Sequence, residues 1–131
     1  PIWTENESRA IGTVHLPQEF FDSMRGSPVW TLERNQEERL DVLCEVYGSA
    51  STHLLVAAFE RIREKLGGLR CQQAITALEN DDLRTAAAIG LIYYDKLYDH
   101  TQQRYPREHN FAFDSKGISH VDIAEQLHAL D

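Results

Sequence analysis

Four groups of side chains in this sequence could do chemistry. Glu7-Ser8-Arg9 sets a carboxylate, a hydroxyl and a guanidinium in consecutive positions. An Arg there could hold a diphosphate bidentately, with Glu7 orienting it or accepting a hydrogen bond. The same three residues could instead form a structural ion pair that ties a turn. Arg34 and Arg39 follow an apolar, β-branched segment, a region where phosphoryl-transfer domains often place an Arg over the phosphates. Their plain alternative is a solvated helix face with Glu37 or Glu38 pairing. Arg61, Arg63, Lys65 and Arg70 are four of only 13 basic residues and gather around Gly67-Gly68, so in a chain of net charge −8 they are the best candidate for contact with a phosphate backbone. Arg61 and Lys65 would share a face at i, i+4 of a continuous helix. Favourable positive charge at a helix C-terminus explains Lys65 equally well. Tyr93, Tyr94 and Tyr98 lie close on one helical stretch, Tyr94 and Tyr98 on one face and Tyr93 about 100° away. Tyrosines so placed could stack on an unpaired base, or pack a helical bundle with their hydroxyls at its edge.

Other chemistries find no support. Cys44 and Cys71 are too few for a disulfide scaffold and read as small apolar residues in a reducing compartment. No Cys-x-x-Cys or His-Glu-x-x-His spacing occurs, and the six histidines are scattered, so no metal site can be argued. A chain of 131 residues with 42% hydrophobic content is one domain's worth of polypeptide, too apolar for disorder and without a run long enough to span a membrane. Its acidity argues against nucleic-acid binding through bulk charge and leaves a local basic patch open. The first residue is Pro, and the sequence reads as the later part of an α/β unit.

The elements that must position these groups can be read along the chain. Ile2–Glu5 reads as a short strand. Pro17 suits the first turn of a helix carrying Phe20, Phe21 and Met24 inward and stopping at Gly26. Pro28–Glu33 is the clearest strand. That spacing predicts a right-handed βαβ unit, with Ile2–Glu5 and Pro28–Glu33 as parallel neighbours and Glu7-Ser8-Arg9 at a strand's carboxyl end, where open sheets bind ligands. A helix over Gln36–Tyr47 should bury Leu40, Leu43, Cys44 and Tyr47. Ser51–Leu66 reads as one helix ended by Gly67-Gly68, followed by Leu69–Glu79. Asn80-Asp81-Asp82 is a stop and a new N-cap, and Leu83 to about Arg104 is a long helical stretch limited by Pro106. Phe111–Phe113 is a third strand candidate, Asp114–Gly117 a turn, and Ser119 with Asp122 the start of a last helix burying Val121, Ala124 and Leu127. The expected fold is therefore α/β and helix-rich: two or three short strands ending a P-loop-type parallel sheet, with a helical subdomain inserted before the last strand. The expected divisions are 1–48, 49–105 and 106–131.

Several phrases in order resemble the C-terminal part of bacterial tRNA 2-selenouridine synthase. They are Glu7-Ser8-Arg9 with Ile11-Gly12 and Val14-His15-Leu16-Pro17; Ser27-Pro28-Val29 through Leu32-Glu33; Glu37-Glu38-Arg39; Leu66-Gly67-Gly68-Leu69-Arg70; and Tyr93-Tyr94-Asp95 with Tyr98. The match is loosest from Asn80 to Ile89 and after Arg104.

The resemblance implies a parent with an N-terminal rhodanese-like module bearing an essential cysteine, followed by a P-loop module. The family acts in the cytoplasm on the wobble 2-thiouridine of certain tRNAs, geranylating the sulfur from geranyl diphosphate and then exchanging the group for selenium from selenophosphate. The essential cysteine and the phosphate loop are not in this sequence, so the chain alone is expected to bind no cofactor, to have no catalytic residue and not to turn over. Carried onto these positions, the resemblance makes Glu7, Ser8, Arg9 and Arg39 diphosphate-binding. It makes Arg61, Arg63, Lys65, Arg70, Tyr94 and Tyr98 RNA-binding, toward the tRNA anticodon region. The expected partners are that tRNA and the rhodanese and P-loop parts of the parent, with no membrane. Two other readings stay open at this point: a stand-alone helical interaction module, and the lid half of a P-loop nucleotide kinase.

Overall fold

A computed structural model of the chain describes residues 2–6, 8–102 and 107–130. They divide into two compact units, Pro1–Glu33 with Gln103–Asp131, and Arg34–Gln102.

The first unit holds all the strands. A hairpin pairs β1 (Ala10–Ile11) with β2 (Val14–His15) antiparallel, Ala10 opposite His15 and Ile11 opposite Val14. Gly12 turns it at φ 61°, a conformation most L-residues avoid. Helix α1 (Gln18–Arg25) starts after Pro17. Strand β3 (Val29–Glu33) pairs in parallel with β4 (Asn110–Asp114), Trp30 opposite Phe111 and Leu32 opposite Phe113. Helix α7 (His120–His128) closes the unit. Its Ser119 cap accepts from the Asp122 N–H at 3.1 Å and donates its hydroxyl proton to the Asp122 carboxylate at 2.7 Å.

Ile2–Glu5 forms no strand. Ile2 is 90% exposed, and the partner expected for it, β3, pairs with β4 instead. The right-handed Ile2–Glu5/Pro28–Glu33 unit is therefore replaced by a longer crossover, in which the whole helical unit separates two parallel strands. Composition can mark a segment as suited to a pleat, but a strand exists only where another edge accepts its hydrogen bonds. Two apolar faces are also corrected. Phe20 is 45% exposed and no residue of α1 is buried, while in α7 the buried residue is Ile123 and Val121 is 68% exposed.

The second unit is a helical bundle: α2 (Gln36–Tyr47), α3 (Thr52–Arg61), α4 (Arg63–Leu66), α5 (Gly68–Glu79) and α6 (Leu83–Gln102). Asn35 caps α2 by accepting from the Glu38 N–H at 2.9 Å. The expected single helix over Ser51–Leu66 breaks at Ile62 (φ −101°, ψ 6°), yet Leu55, Phe59, Ile62 and Leu66 all still reach the core. Gly67 (φ 98°) separates α4 from α5. Asp82 opens α6, accepting from the Thr85 N–H at 3.0 Å. The α6 backbone runs through Gly90 without interruption; a Cβ there would meet the Phe59 ring at 3.4 Å, so a glycine lets the two helices close. The expected end of this helix at Arg104 and Pro106 lies outside the described residues.

The core sits where α3, α4, α5 and α6 meet. Ala74, Ala77, Leu78 and Ala86 form one buried cluster, and Leu66, Cys71 and Ile75 a second, with Val56, Phe59 and Ile89 touching both. Cys71 is fully buried and Cys44 half-buried, both with free thiols. Helix α2 packs on α6 and buries Leu40, and both lie in the compact unit Arg34–Gln102. Among the described residues no helix is long and apolar enough to cross a membrane.

Candidate functional site

The basic group lies on the α3–α4–α5 segment. Its members divide by what they already hold. Arg63 grips Glu60 with two parallel bonds, Nε to Oε2 and Nη2 to Oε1, each 2.6 Å. Those bonds hold the Glu60 carboxyl below the usual range. Arg61, Lys65 and Arg70 are exposed and form no ion pair among the described residues. Arg61 ends α3, Lys65 lies on α4 and Arg70 on α5, a corner that breaks at Ile62 and turns at Gly67. There α5 starts without a side-chain cap and without an acid in its first turn. A helix start of that kind leaves backbone N–H groups and the positive end of the dipole open to an anion.

The tyrosines separate too. Tyr93 packs against Leu66, Cys71 and Ile75, and meets Tyr94 edge-on with ring centroids 5.2 Å apart. Tyr94 and Tyr98, one turn apart, are 49% and 56% exposed. Partial burial, then the neighbouring Tyr47, Tyr93 and Tyr98, push the Tyr94 phenol up. Tyr47, expected inside, is itself 47% exposed. It is a residue the sequence reading missed. Its periodicity placed it with Leu40 and Leu43, but in the last turn of α2 it lies beside Tyr94 and stays partly in solvent.

The arginines assigned to a diphosphate are differently engaged. Arg39 is clamped by Asp95: Nη1 donates to Oδ2 at 3.1 Å and Nη2 to Oδ1. That bonding raises the Arg39 pKa against a smaller cost of burial. The plain alternative for Arg39 was pairing with Glu37 or Glu38, but Glu37 together with Asp41 holds Arg84, the latter at 2.7 Å. Three salt bridges, Arg39–Asp95, Arg84–Glu37 and Arg84–Asp41, thus tie α2 to α6. Arg34 is half-buried at the start of this unit. In the other unit, Arg9 and Ser8 do not follow a parallel strand; they lead into the β1–β2 hairpin. Arg9 Nε donates to the Leu16 carbonyl at 3.3 Å, and the Ser8 hydroxyl donates to Ala10 O at 2.7 Å. No bond of the Arg9 terminal nitrogens occurs among the described residues. Glu7 lies outside the described residues. Among those described, no cluster of His, Cys, Asp and Glu could hold a metal ion.

Residues 1–128 match the family model for the tRNA 2-selenouridine synthase AAA domain. Among curated proteins, the chain is 33% identical to the tRNA 2-selenouridine synthase of Hydrogenovibrio crunogenus, over 76% of this chain and 34% of the relative. It is 30% identical to that of Alcanivorax borkumensis over 79% of this chain and 36% of the relative, and 29% identical to that of Pseudomonas savastanoi pv. phaseolicola over 94% and 40%. The chain thus spans about a third of the length of the first two. No solved structure matches it. A family match over nearly every residue, supported by curated relatives of one name, decides among the readings the sequence left open: the chain belongs to the tRNA 2-selenouridine synthase AAA-domain family.

Proposed function

We propose that this chain is the substrate-binding and scaffolding part of a cytoplasmic transferase that modifies the wobble 2-thiouridine of tRNA, by geranylation and then selenation. The observation that carries the reading is the corner of Arg61, Lys65 and Arg70 around the uncapped start of α5. In an acidic chain these are exposed cations without ion-pair partners among the described residues, arranged where a phosphate backbone gains from both charge and helix dipole. Tyr94 and Tyr98 then offer exposed rings for an unpaired base of the anticodon region. Arg63 contributes less, because Glu60 already fills its fork. The diphosphate reading keeps Arg9, whose terminal nitrogens make no bond among the described residues, with Ser8 and Glu7 next to it in sequence. Arg39 takes part only by exchanging Asp95 for the anion. The chemistry itself, drawing on geranyl diphosphate and selenophosphate, is assigned to rhodanese and P-loop parts of a longer polypeptide, and this chain alone is expected not to turn over.

The test is tRNA binding by the full-length enzyme across a range of salt concentrations. Arg61→Ala, Lys65→Ala and Arg70→Ala should each weaken binding broadly across cognate tRNAs and lower the salt slope by about one unit. Arg63→Ala should change it least. Wild-type affinity and slope in all of the first three would remove the corner from the RNA interface.

A further inference from the structure

Tyr93 joins two surfaces that the sequence keeps apart. Its ring packs against Leu66, Cys71 and Ile75 on one side and meets the Tyr94 ring edge-on at 5.2 Å on the other. Leu66 follows Lys65 in the chain and Cys71 follows Arg70, so the basic corner and the exposed phenols of α6 border one another on the helical unit. Tyr93 is the ring the core uses. Tyr94 and Tyr98, a turn apart on one face of α6, are each about half exposed. Tyr47, at the end of α2, lies beside Tyr94 and is exposed to the same degree. Buried Leu40 and the salt bridges to Asp95 and Arg84 dock α2 on α6, so Tyr47 stands next to the other two rings before any ligand arrives. Asp95, between Tyr94 and Tyr98 in the sequence, has its charge met by Arg39.

Three flat rings with polar rims thus adjoin cations that have no ion pair among the described residues, in a chain of net charge −8. Such a surface complements a ligand that alternates negative charge with open π-faces. Unpaired nucleotides have that chemistry. A duplex hides its base faces in the stack, and an acidic peptide brings carboxylates without a ring at each step. Resting on the RNA reading above, we infer that Tyr47 is a third stacking residue of the same interface. Tyr47, Tyr94 and Tyr98 together hold unpaired bases of the tRNA, and Arg61, Lys65 and Arg70 hold adjoining phosphates. The cations set the salt dependence of binding, whereas the rings add affinity for unpaired over paired RNA, because a stacked base releases no counterion.

Two RNA probes test it on the full-length enzyme across a range of salt concentrations: the anticodon stem–loop of a cognate tRNA, and a blunt duplex of equal length. Tyr47→Ala and Tyr47→Leu should each weaken stem–loop binding by about five- to a hundredfold, while Tyr47→Phe, which keeps the ring, should stay within about twofold. All three should keep the wild-type salt slope and the wild-type duplex affinity. Affinities are compared at equal folded fraction, with melting followed on the same preparations, so that an unstable variant does not decide the result. Wild-type stem–loop affinity in Tyr47→Ala and Tyr47→Leu would overturn the inference. Equal losses on stem–loop and duplex would do the same. So would a loss in Tyr47→Phe as large as in Tyr47→Ala, by making the hydroxyl the contact instead of the ring. If Arg61→Ala, Lys65→Ala and Arg70→Ala weaken binding and the Tyr47 variants do not, Tyr47 alone is removed and the RNA reading stands. Wild-type binding in every variant would remove both.

Discussion

Arg39 and Arg63 show how a partner decides what an arginine can offer an anion. Both are held in a carboxylate fork, Arg39 by Asp95 and Arg63 by Glu60. The Arg39 pair is over a third exposed on both sides, so solvent screens it and it is worth roughly 0.2–1 kcal/mol. Asp95→Asn should therefore lower the melting temperature by no more than a few degrees. If Arg39 serves a diphosphate, the same change should tighten pyrophosphate binding by the full-length enzyme; melting and binding measured on one preparation separate the two effects. Glu60 gives a pH prediction. Hydrogen bonds from Arg63 set its folded pKa below the ordinary 4.5. A lowered acid stabilises fully above its ordinary value, and that contribution is lost as pH falls through the lowered one. In an NMR titration the Glu60 carboxyl should move back toward 4.5 in Arg63→Gln; an unchanged midpoint would mean the pair does not persist in solution.

At the scale of elements, caps and turns fix where each helix begins. Asn35→Ala removes the acceptor for the Glu38 N–H and should cost about 1 kcal/mol, seen as earlier unfolding of the helical unit. The Gly67-Gly68 pair allows a sharper contrast. Gly67 sits at φ 98°, where any side chain is strained, whereas Gly68 opens α5 with free space around it. Gly67→Ala should destabilise by about 1–2 kcal/mol, and Gly68→Ala should be neutral or stabilising by up to about 1 kcal/mol. Thermal melts of the two variants check this, and equal losses would mean that Gly67 does not hold this conformation. If the basic corner binds tRNA, Gly67→Ala in its turn should also weaken that binding more than its loss of stability accounts for.

Over the whole molecule, burial is unequal. The fully or nearly fully buried apolar residues lie on α2, α4, α5 and α6, with Ile123 of α7 the exception among those described. Local stability follows packing. Amide exchange in the 131-residue chain should be slowest around Ala74–Leu78 and Ala86–Gly90 and fastest in the β1–β2 hairpin. Comparable rates in hairpin and bundle would show that the chain unfolds as one cooperative body.

The sequence by itself determined the local and the periodic. Asp82 and Ser119 announced their caps, and Cys71, Ile75 and Leu78 their buried face; each depends on neighbours within a turn or two of helix. The order of its phrases was also enough to place the family. Tertiary structure decided what depends on distant partners. β3 chose β4, some eighty residues on, over the nearby Ile2–Glu5, because a hydrogen-bonded edge has no sequence-local signature. Asp95 took Arg39 across 56 positions, and Glu60 took Arg63, which leaves Arg61, Lys65 and Arg70 as the members of the basic cluster without an ion pair among the described residues. Charge counts alone could not separate these, since residue type gives a guanidinium its charge and only the fold gives it a partner.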